Sequence, residues 1–271
     1  MKRGDLVLEK VGVALSVLGK SLSEPRSALR LLRRGFWPVD RVYADQSNWT
    51  NGSLPRVPLT SIFPAARRAN IQVLRVFDRK WGTSITVEEL CCILVIAQCV
   101  GAKNILEIGT WDGNTSLNLA GNIDATVVTV DLPPDFASSS LVYPDVKVNL
   151  TDRGQLGSQL REHPAGQRVR RILGDSAQLD WNQLGPPFDL VFIDGCHDYA
   201  YVSSDTKHAL THLQVGGAVV WHDYGMVEDV SRVVDQAAQT ATAFEVYAIE
   251  GTRLAVGVKV REYAAEDEVA E

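Results

Sequence analysis

The sequence predicts an α/β fold. The expected core is a doubly wound, mainly parallel seven-stranded sheet with an antiparallel C-terminal strand, preceded by a helical N-terminal extension. Three observations carry this. Short, continuous apolar runs (NILEIG, TVVTVD, FDLVFID, GAVVWHD) alternate with segments of helical spacing, as in parallel strands covered on both faces. Glycine or an acid stands directly after most of these runs, where ligands collect in open α/β sheets. The last two runs, FEVYAIE and LAVGVKV, are joined by EGTR, too short for a helical crossover, so they pair antiparallel. Together these describe a Rossmann-like sheet.

The elements follow in order. Residues 1–34 read as one or two helices ending in the basic run LRLLRRG, and 35–64, rich in Pro, Asn, Ser and Trp, as mostly loop. Residues 65–82 have helical apolar spacing at Ile71, Leu74, Val76 and Phe77. In TVEELCCILVIAQCVG, Thr86 caps a helix and Glu89, three residues on, completes a capping box. Strands follow at NILEIG, TVVTVD, RRILGD, FDLVFID and GAVVWHD, with helices over 114–121, 199–213 and 227–240. The division is a basic extension over 1–85, an α/β domain over 86–262 and an acidic tail over 263–271.

Composition bounds the function. The chain has 271 residues, 45% of them hydrophobic, enough for one large domain with an extension. No window is long and apolar enough to span a bilayer. Residues 1–85 hold 15 Lys and Arg against 6 Asp and Glu, whereas the rest holds 12 against 27. A basic segment packing on an acidic body, or meeting an anionic surface, accounts for this asymmetry. Residues 1–34 are therefore a candidate peripheral membrane contact, and self-association is a second role for the extension. No nucleic-acid motif is present, and the acidic body disfavours a polyanionic partner. Cys91, Cys92, Cys99 and Cys196 fit neither a zinc nor a disulfide spacing, so free thiols in a reducing cytoplasm are expected.

The stretch LEIGTWDGNTSLNLA begins in the first strand of the α/β domain and runs on past it. Gly109 and Gly113 permit a tight turn and close backbone approach to a ligand. Asn114, Thr115 and Ser116 are candidate caps of the next helix. Asp131 ends the second strand, where an acid accepts hydrogen bonds from ribose hydroxyls. The glycine pattern is ExGxxxG, with Glu107 two residues before Gly109. This loop, the acid after strand two and the later GDS (Gly174, Asp175, Ser176) resemble the class I methyltransferases that use S-adenosylmethionine. The resemblance implies that the loop, with Glu107, Gly109, Thr110, Gly113 and Thr115, holds the amino acid portion of the cofactor. It places Asp131 at the ribose and Asp175, with Ser176, near the adenine amino group. A nicotinamide-dependent oxidoreductase on a similar sheet, or a non-catalytic cofactor-binding scaffold, is the alternative.

Asp194 and Asp223 end two successive strands and so face one crevice. Neighbouring carboxylates repel unless a proton or cation is shared, which points to a divalent ion. His222 could add a nitrogen if the strand has already ended there, shifting the preference from Mg²⁺ toward Mn²⁺, Fe²⁺ or Zn²⁺. His197, three residues after Asp194, suits a general base at neutral pH. Tyr199 and Tyr201 are candidate walls of an acceptor pocket. His208 and His212, one helical turn apart, read as a solvated face.

FIDGCHDYAY and GGAVVWHDYG sharpen the resemblance. They look like the methyltransferase family containing macrolide-sugar and polysaccharide O-methyltransferases and cephalosporin hydroxylase. That family carries D-G-x-H, a helix, L-x-x-G-G and a strand ending in an acid pair or His-Asp. Here these are Asp194, Gly195 and His197, then Leu213, Gly216 and Gly217, then His222 and Asp223. The resemblance implies Asp194 and Asp223 as metal ligands, with Asp194 also beside the cofactor, His197 as base, and a small-molecule or glycan hydroxyl as acceptor. Where some members have Glu, this sequence has His222.

Overall fold

The computed structural model describes residues 49, 51–76, 85–137, 140–143 and 155–262. The expected helices of residues 1–34 and the acidic tail lie outside these. Residues 51–76 and 85–262 belong to one compact unit. Strand β1 (Arg56–Val57) and helix α1 (Leu59–Ile62) are followed by α2 (Val87–Cys99), β2 (Asn104–Ile108), α3 (Asn114–Asn122) and β3 (Thr126–Asp131). Then come α4 (Ser158–Glu162), β4 (Val169–Leu173), β5 (Phe188–Ile193), α5 (Tyr199–His212), β6 (Leu213–Trp221), α6 (Glu228–Thr240), β7 (Phe244–Ile249) and β8 (Ala255–Lys259).

The strands form one sheet in the order β1-β7-β8-β6-β5-β2-β3-β4. All pairings are parallel except those of β8, which runs antiparallel to both β6 and β7. The antiparallel closing pair is as the short EGTR connection requires. The eighth strand is β1, inside the segment expected as loop and extension. Two residues suffice for it because the β7 edge offers free backbone groups: Ala248 N donates to Pro55 O, and Glu250 N to Val57 O. The compact unit thus starts well before residue 86.

Alternation along the strands divides the core. Leu106, Ile108, Val191, Ile193, Val219 and Trp221 face α5 and α6, whose Val202, Leu210, Val233 and Val234 meet them. Ile105, Val127, Leu190, Phe192 and Val220 face the other way, onto Leu90, Ile93 and Leu94 of α2 and Leu119 of α3. The capping box at the head of α2 is present: Thr86 Oγ1 accepts from Glu89 N at 3.1 Å, and Glu89 Oε2 accepts from Thr86 N at 2.8 Å.

The helix expected over 65–82 is not formed across its described part. A 3₁₀ turn covers Pro64–Arg68, and no helix follows through residue 76. Asparagines on α3 claim its backbone instead. Asn122 Oδ1 accepts from Gln72 N at 2.6 Å and Asn118 Oδ1 from Leu74 N at 2.8 Å, while their amides donate to Gln72 O and Arg75 O. Gly121 admits Leu74, whose Cδ1 would lie 2.1 Å from any Cβ there.

Candidate active site

The site lies where the strand order reverses. β2 is flanked by β3 on one side and β5 on the other, and the chain continues outward in both directions. Ile108, Ile193 and Trp221 are in register, so the loops after β2, β5 and β6 leave the sheet at one level. Backbone bonds carry the ladder one step further: Gly109 N donates to Val130 O, Asp194 N to Ile108 O and His222 N to Ile193 O.

In the turn after β2, Gly109 has φ +99°, and a Cβ there would meet Asp194 O at 2.1 Å. The glycine is required by both conformation and space. Asp131 secures the same turn. Its Oδ2 accepts from the N–H groups of Thr110 (3.0 Å) and Trp111 (2.9 Å), and its Oδ1 from Leu132 N (2.7 Å). Burial pushes the Asp131 carboxyl up, against these three bonds. Trp111 is a non-glycine residue at φ +45°, held between the two glycines. Gly113, at φ +88°, is itself the cap of α3; the helix head is met by Asp112, whose Oδ1 accepts from Asn114 N at 3.0 Å. Asn114, Thr115 and Ser116 therefore lie inside the helix and do not cap it. All three are buried.

Glu107 points into the core under α3 and not into the crevice. Its Oε2 accepts from the hydroxyls of Ser116 and, at 2.6 Å, Thr129. Burial pushes its carboxyl up to about 8. Thr110 Oγ1 shares a hydrogen bond with Thr129 Oγ1 at 2.7 Å, extending this network to the turn. Glu107 and Thr110 thus brace the loop from behind.

After β4, Asp175 Oδ2 accepts from Tyr201 Oη (3.0 Å) and Val142 N (2.9 Å), and its Oδ1 from Ala177 N (3.0 Å). Tyr201, expected beside the acceptor, is buried here and packs edge-on to Tyr143 at 5.0 Å. Tyr199 turns the other way, its hydroxyl on Gln236 and its ring under Arg232. Beneath Asp175 and Ser176 lies Asp205, 1% exposed, whose carboxyl burial pushes up to about 7. Sequence reading missed Asp205, although it stands four residues from both Tyr201 and Ala209 on the buried stripe of α5.

On the chemistry side, Asp194, His197 and Asp223 converge. Each offers one ligand atom, and these lie within 4.8 Å of one another. His197 Nε2 is 3.3 Å from Asp223 Oδ2 and 3.7 Å from Asp194 Oδ1, with its side chain 43% exposed. Two carboxylates and an imidazole at this spacing fit a divalent cation. β6 ends at Trp221, so His222 and Asp223 both lie beyond the strand, and Asp223 takes φ +59°. His222 nevertheless stays beneath the site. Its side chain is buried, with Nδ1 2.9 Å from Asp194 Oδ1 and Nε2 3.4 Å from Glu89 Oε2. The structure places His197, and not His222, in the converging group.

The charges are mutually compensating. Burial would raise the Asp194 carboxyl, but His222 and His197 outweigh it and hold it well below the usual range. Burial would lower both histidines, yet the facing carboxylates raise them. Glu89 and Arg253, read in the sequence as a capping residue and part of a short connection, complete the set. Arg253 donates to both Glu89 oxygens and to Asp223 Oδ1. Their partnership spans 164 residues, so no local pattern announces it. His208 and His212 are not a free face: both pack on the buried ring of Trp181, with centroids 5.1 and 5.7 Å away. The four cysteines are free, and no helix among the described residues is long and apolar enough to cross a membrane.

The sheet order, with β8 antiparallel between β6 and β7, matches a Rossmann-like methyltransferase fold. Residues 106–224, from β2 to just past Asp223, match the family model described as "Methyltransferase domain". No curated protein matches the sequence. Among solved structures, the chain is similar to a candidate O-methyltransferase from Klebsiella pneumoniae (16% identity, 76% of this chain and 92% of that one, TM-score 0.52). It is also similar to the SAH-bound methyltransferase PaMTH1 of Podospora anserina (16% identity, 82% and 95%, TM-score 0.51). A third is the O-methyltransferase TomG of Streptomyces achromogenes, involved in tomaymycin synthesis and solved with S-adenosylmethionine (20% identity, 77% and 92%, TM-score 0.50). At these identities the likeness is one of fold.

Proposed function

We propose that the protein transfers the methyl group of S-adenosylmethionine to a hydroxyl of a sugar or glycosylated metabolite. The observation that carries this reading is the meeting of Asp194, His197 and Asp223 against the Gly109 turn. The cofactor loop and the polar group share one crevice, with Asp194 belonging to both. The acceptor class rests on the resemblance of the D-G-x-H and L-x-x-G-G segments to sugar O-methyltransferases.

Asp131 and Asp175, at the ends of β3 and β4, suit the ribose and adenine of the cofactor, and the turn over 109–113 suits its amino acid portion. As the acceptor oxygen bonds to the methyl carbon, the carbon–sulfur bond breaks and the hydroxyl proton passes to the His197 imidazole. Alignment of oxygen, carbon and sulfur is the protein's main contribution, since the sulfonium methyl is already electrophilic. Asp194 and Asp223 would hold a divalent cation, Mg²⁺ or Mn²⁺, which lowers the pKa of the acceptor hydroxyl and fixes its position.

The closeness of His197 to both carboxylates supports a second role for it, as third ligand. The two roles differ in outcome. As base, His197→Ala abolishes transfer while Mn²⁺ and S-adenosylmethionine affinity stay within about twofold. As ligand, it weakens Mn²⁺ binding as well. The test is a screen of glycans and glycosides with methyl-labelled cofactor, with both affinities measured by calorimetry. Tight binding of NADH without binding of S-adenosylmethionine would overturn the reading.

A further inference from the structure

The carboxylates of the crevice are held from below by two residues that never reach it. Glu89 lies at the head of α2 and Arg253 in the turn between β7 and β8, and both side chains are 1% exposed. Nε and Nη2 of Arg253 donate to the two Glu89 oxygens at 2.9 and 2.7 Å, a fork-to-fork pair. Glu89 Oε1 also accepts from Arg253 N at 2.9 Å. The remaining guanidinium nitrogen, Nη1, donates to Asp223 Oδ1 at 3.0 Å. Arg253 O accepts from Tyr224 N at 2.9 Å, so one residue grips both the side chain of Asp223 and the peptide after it. From the same Glu89 the contacts run through His222 to Asp194. The result is a closed ring: Glu89, Arg253, Asp223, His197, Asp194, His222 and back to Glu89.

We propose that Glu89 and Arg253 are positioning residues. They form a buried clamp that takes up one oxygen of Asp223 and turns the other, Oδ2, toward His197 and the crevice. This rests on the metal-assisted reading of the site. Helix capping alone does not call for it, since the bond from Thr86 N occupies one Glu89 oxygen and requires no arginine. Buried charges are costly unless paired, and Arg253 pairs at once with Glu89 and with Asp223. Asp223 also sits at φ +59°, in the left-handed region that aspartate enters more readily than most side chains, with its carboxylate fixed there by Arg253.

The test is Mn²⁺ binding to the full chain, followed by electron paramagnetic resonance. Asp194→Asn serves to identify the site, and S-adenosylmethionine affinity is measured in parallel. Arg253→Met should weaken Mn²⁺ binding at least tenfold while cofactor affinity changes less than about threefold. Arg253→Lys, which reaches only one partner at a time, should recover part of the loss. If Arg253→Met does not fold, Glu89→Gln replaces it, keeping side-chain shape and one acceptor for Thr86 N; it should weaken Mn²⁺ binding in the same direction. Unchanged Mn²⁺ affinity in a folded variant overturns the clamp alone. Failure of the unaltered protein to bind Mn²⁺ overturns the metal reading, and the clamp with it.

Discussion

Replacing Gly109 with alanine tests whether the cofactor turn and Asp194 form one unit. Two costs apply. The first is conformational: Gly109 has φ +99°, and an L-residue at positive φ costs about 1–2 kcal/mol. A small gain offsets this, because alanine restricts the unfolded chain by about 0.4–1 kcal/mol. The second is steric. The new Cβ would lie 2.1 Å from Asp194 O and 2.6 Å from Asp194 C, where non-bonded heavy atoms rest at roughly 3.5 Å. Both obstructing atoms are backbone, tied into the ladder by Asp194 N on Ile108 O, so no rotamer change relieves the contact. The turn and the Asp194 peptide must part by about 1 Å, with an overpacking cost of about 1–3 kcal/mol.

Gly101 is the internal control. It also has positive φ, +63°, but nothing lies within 4 Å of its would-be Cβ. Gly101→Ala should therefore lose about 1 kcal/mol or less, and Gly109→Ala about 2–4 kcal/mol, as read by urea unfolding. Calorimetry should show S-adenosylmethionine affinity unchanged in Gly101→Ala and reduced at least tenfold in Gly109→Ala. Equal stability losses in the two variants, with cofactor affinity retained in both, would refute the coupling of the turn to Asp194.

Three further outcomes follow from the charges. The Asp205 carboxyl is pushed up to about 7 by burial, so the folded chain keeps a proton that the unfolded chain, near ~3.9, has released. Its contribution to stability is full below about pH 4 and is lost as pH rises toward 7; Asp205→Asn should gain on the unaltered protein across that interval by on the order of 1–3 kcal/mol in urea unfolding. Glu89 is the opposite case. Burial would raise it, but His222 and Arg253 hold it well below the usual range, so its stabilisation is present above about pH 4.3 and lost on acidification. Unfolding midpoints measured from pH 5 to 3 should fall less steeply in Glu89→Gln. His197→Ala should remove methyl transfer while leaving cofactor affinity within about twofold, as judged by labelled-methyl incorporation and calorimetry.

Much of the architecture was legible because it depends on local rules. Continuous apolar runs marked the central strands, the capping box marked the head of α2, and EGTR forced an antiparallel closing pair. Glycines and acids after the runs located the crevice, since parallel strands discharge their loops at one edge. The segment over 69–76 was misread because its helical spacing lost to a partner: Asn118 and Asn122 on α3 bind its backbone, an interaction between residues more than 40 positions apart. Glu107 was placed with the cofactor by its motif, yet strand alternation turns it inward, onto Ser116 and Thr129.

The sequence by itself determined which residues stand at the sheet's C-terminal edge: Gly109, Asp131, Asp175, Asp194, His197, His222 and Asp223. It did so because strand ends are set by short-range pattern. Only the tertiary structure decided how they divide the work. His197 and His222 are the same residue type, and each is followed directly by an aspartate, Asp198 and Asp223. The fold separates them by depth, leaving His197 exposed beside both carboxylates and burying His222 between Glu89 and Asp194. Depth is a property of packing between distant elements, and α2, the strand ends and the β7–β8 turn must all be in place before it exists.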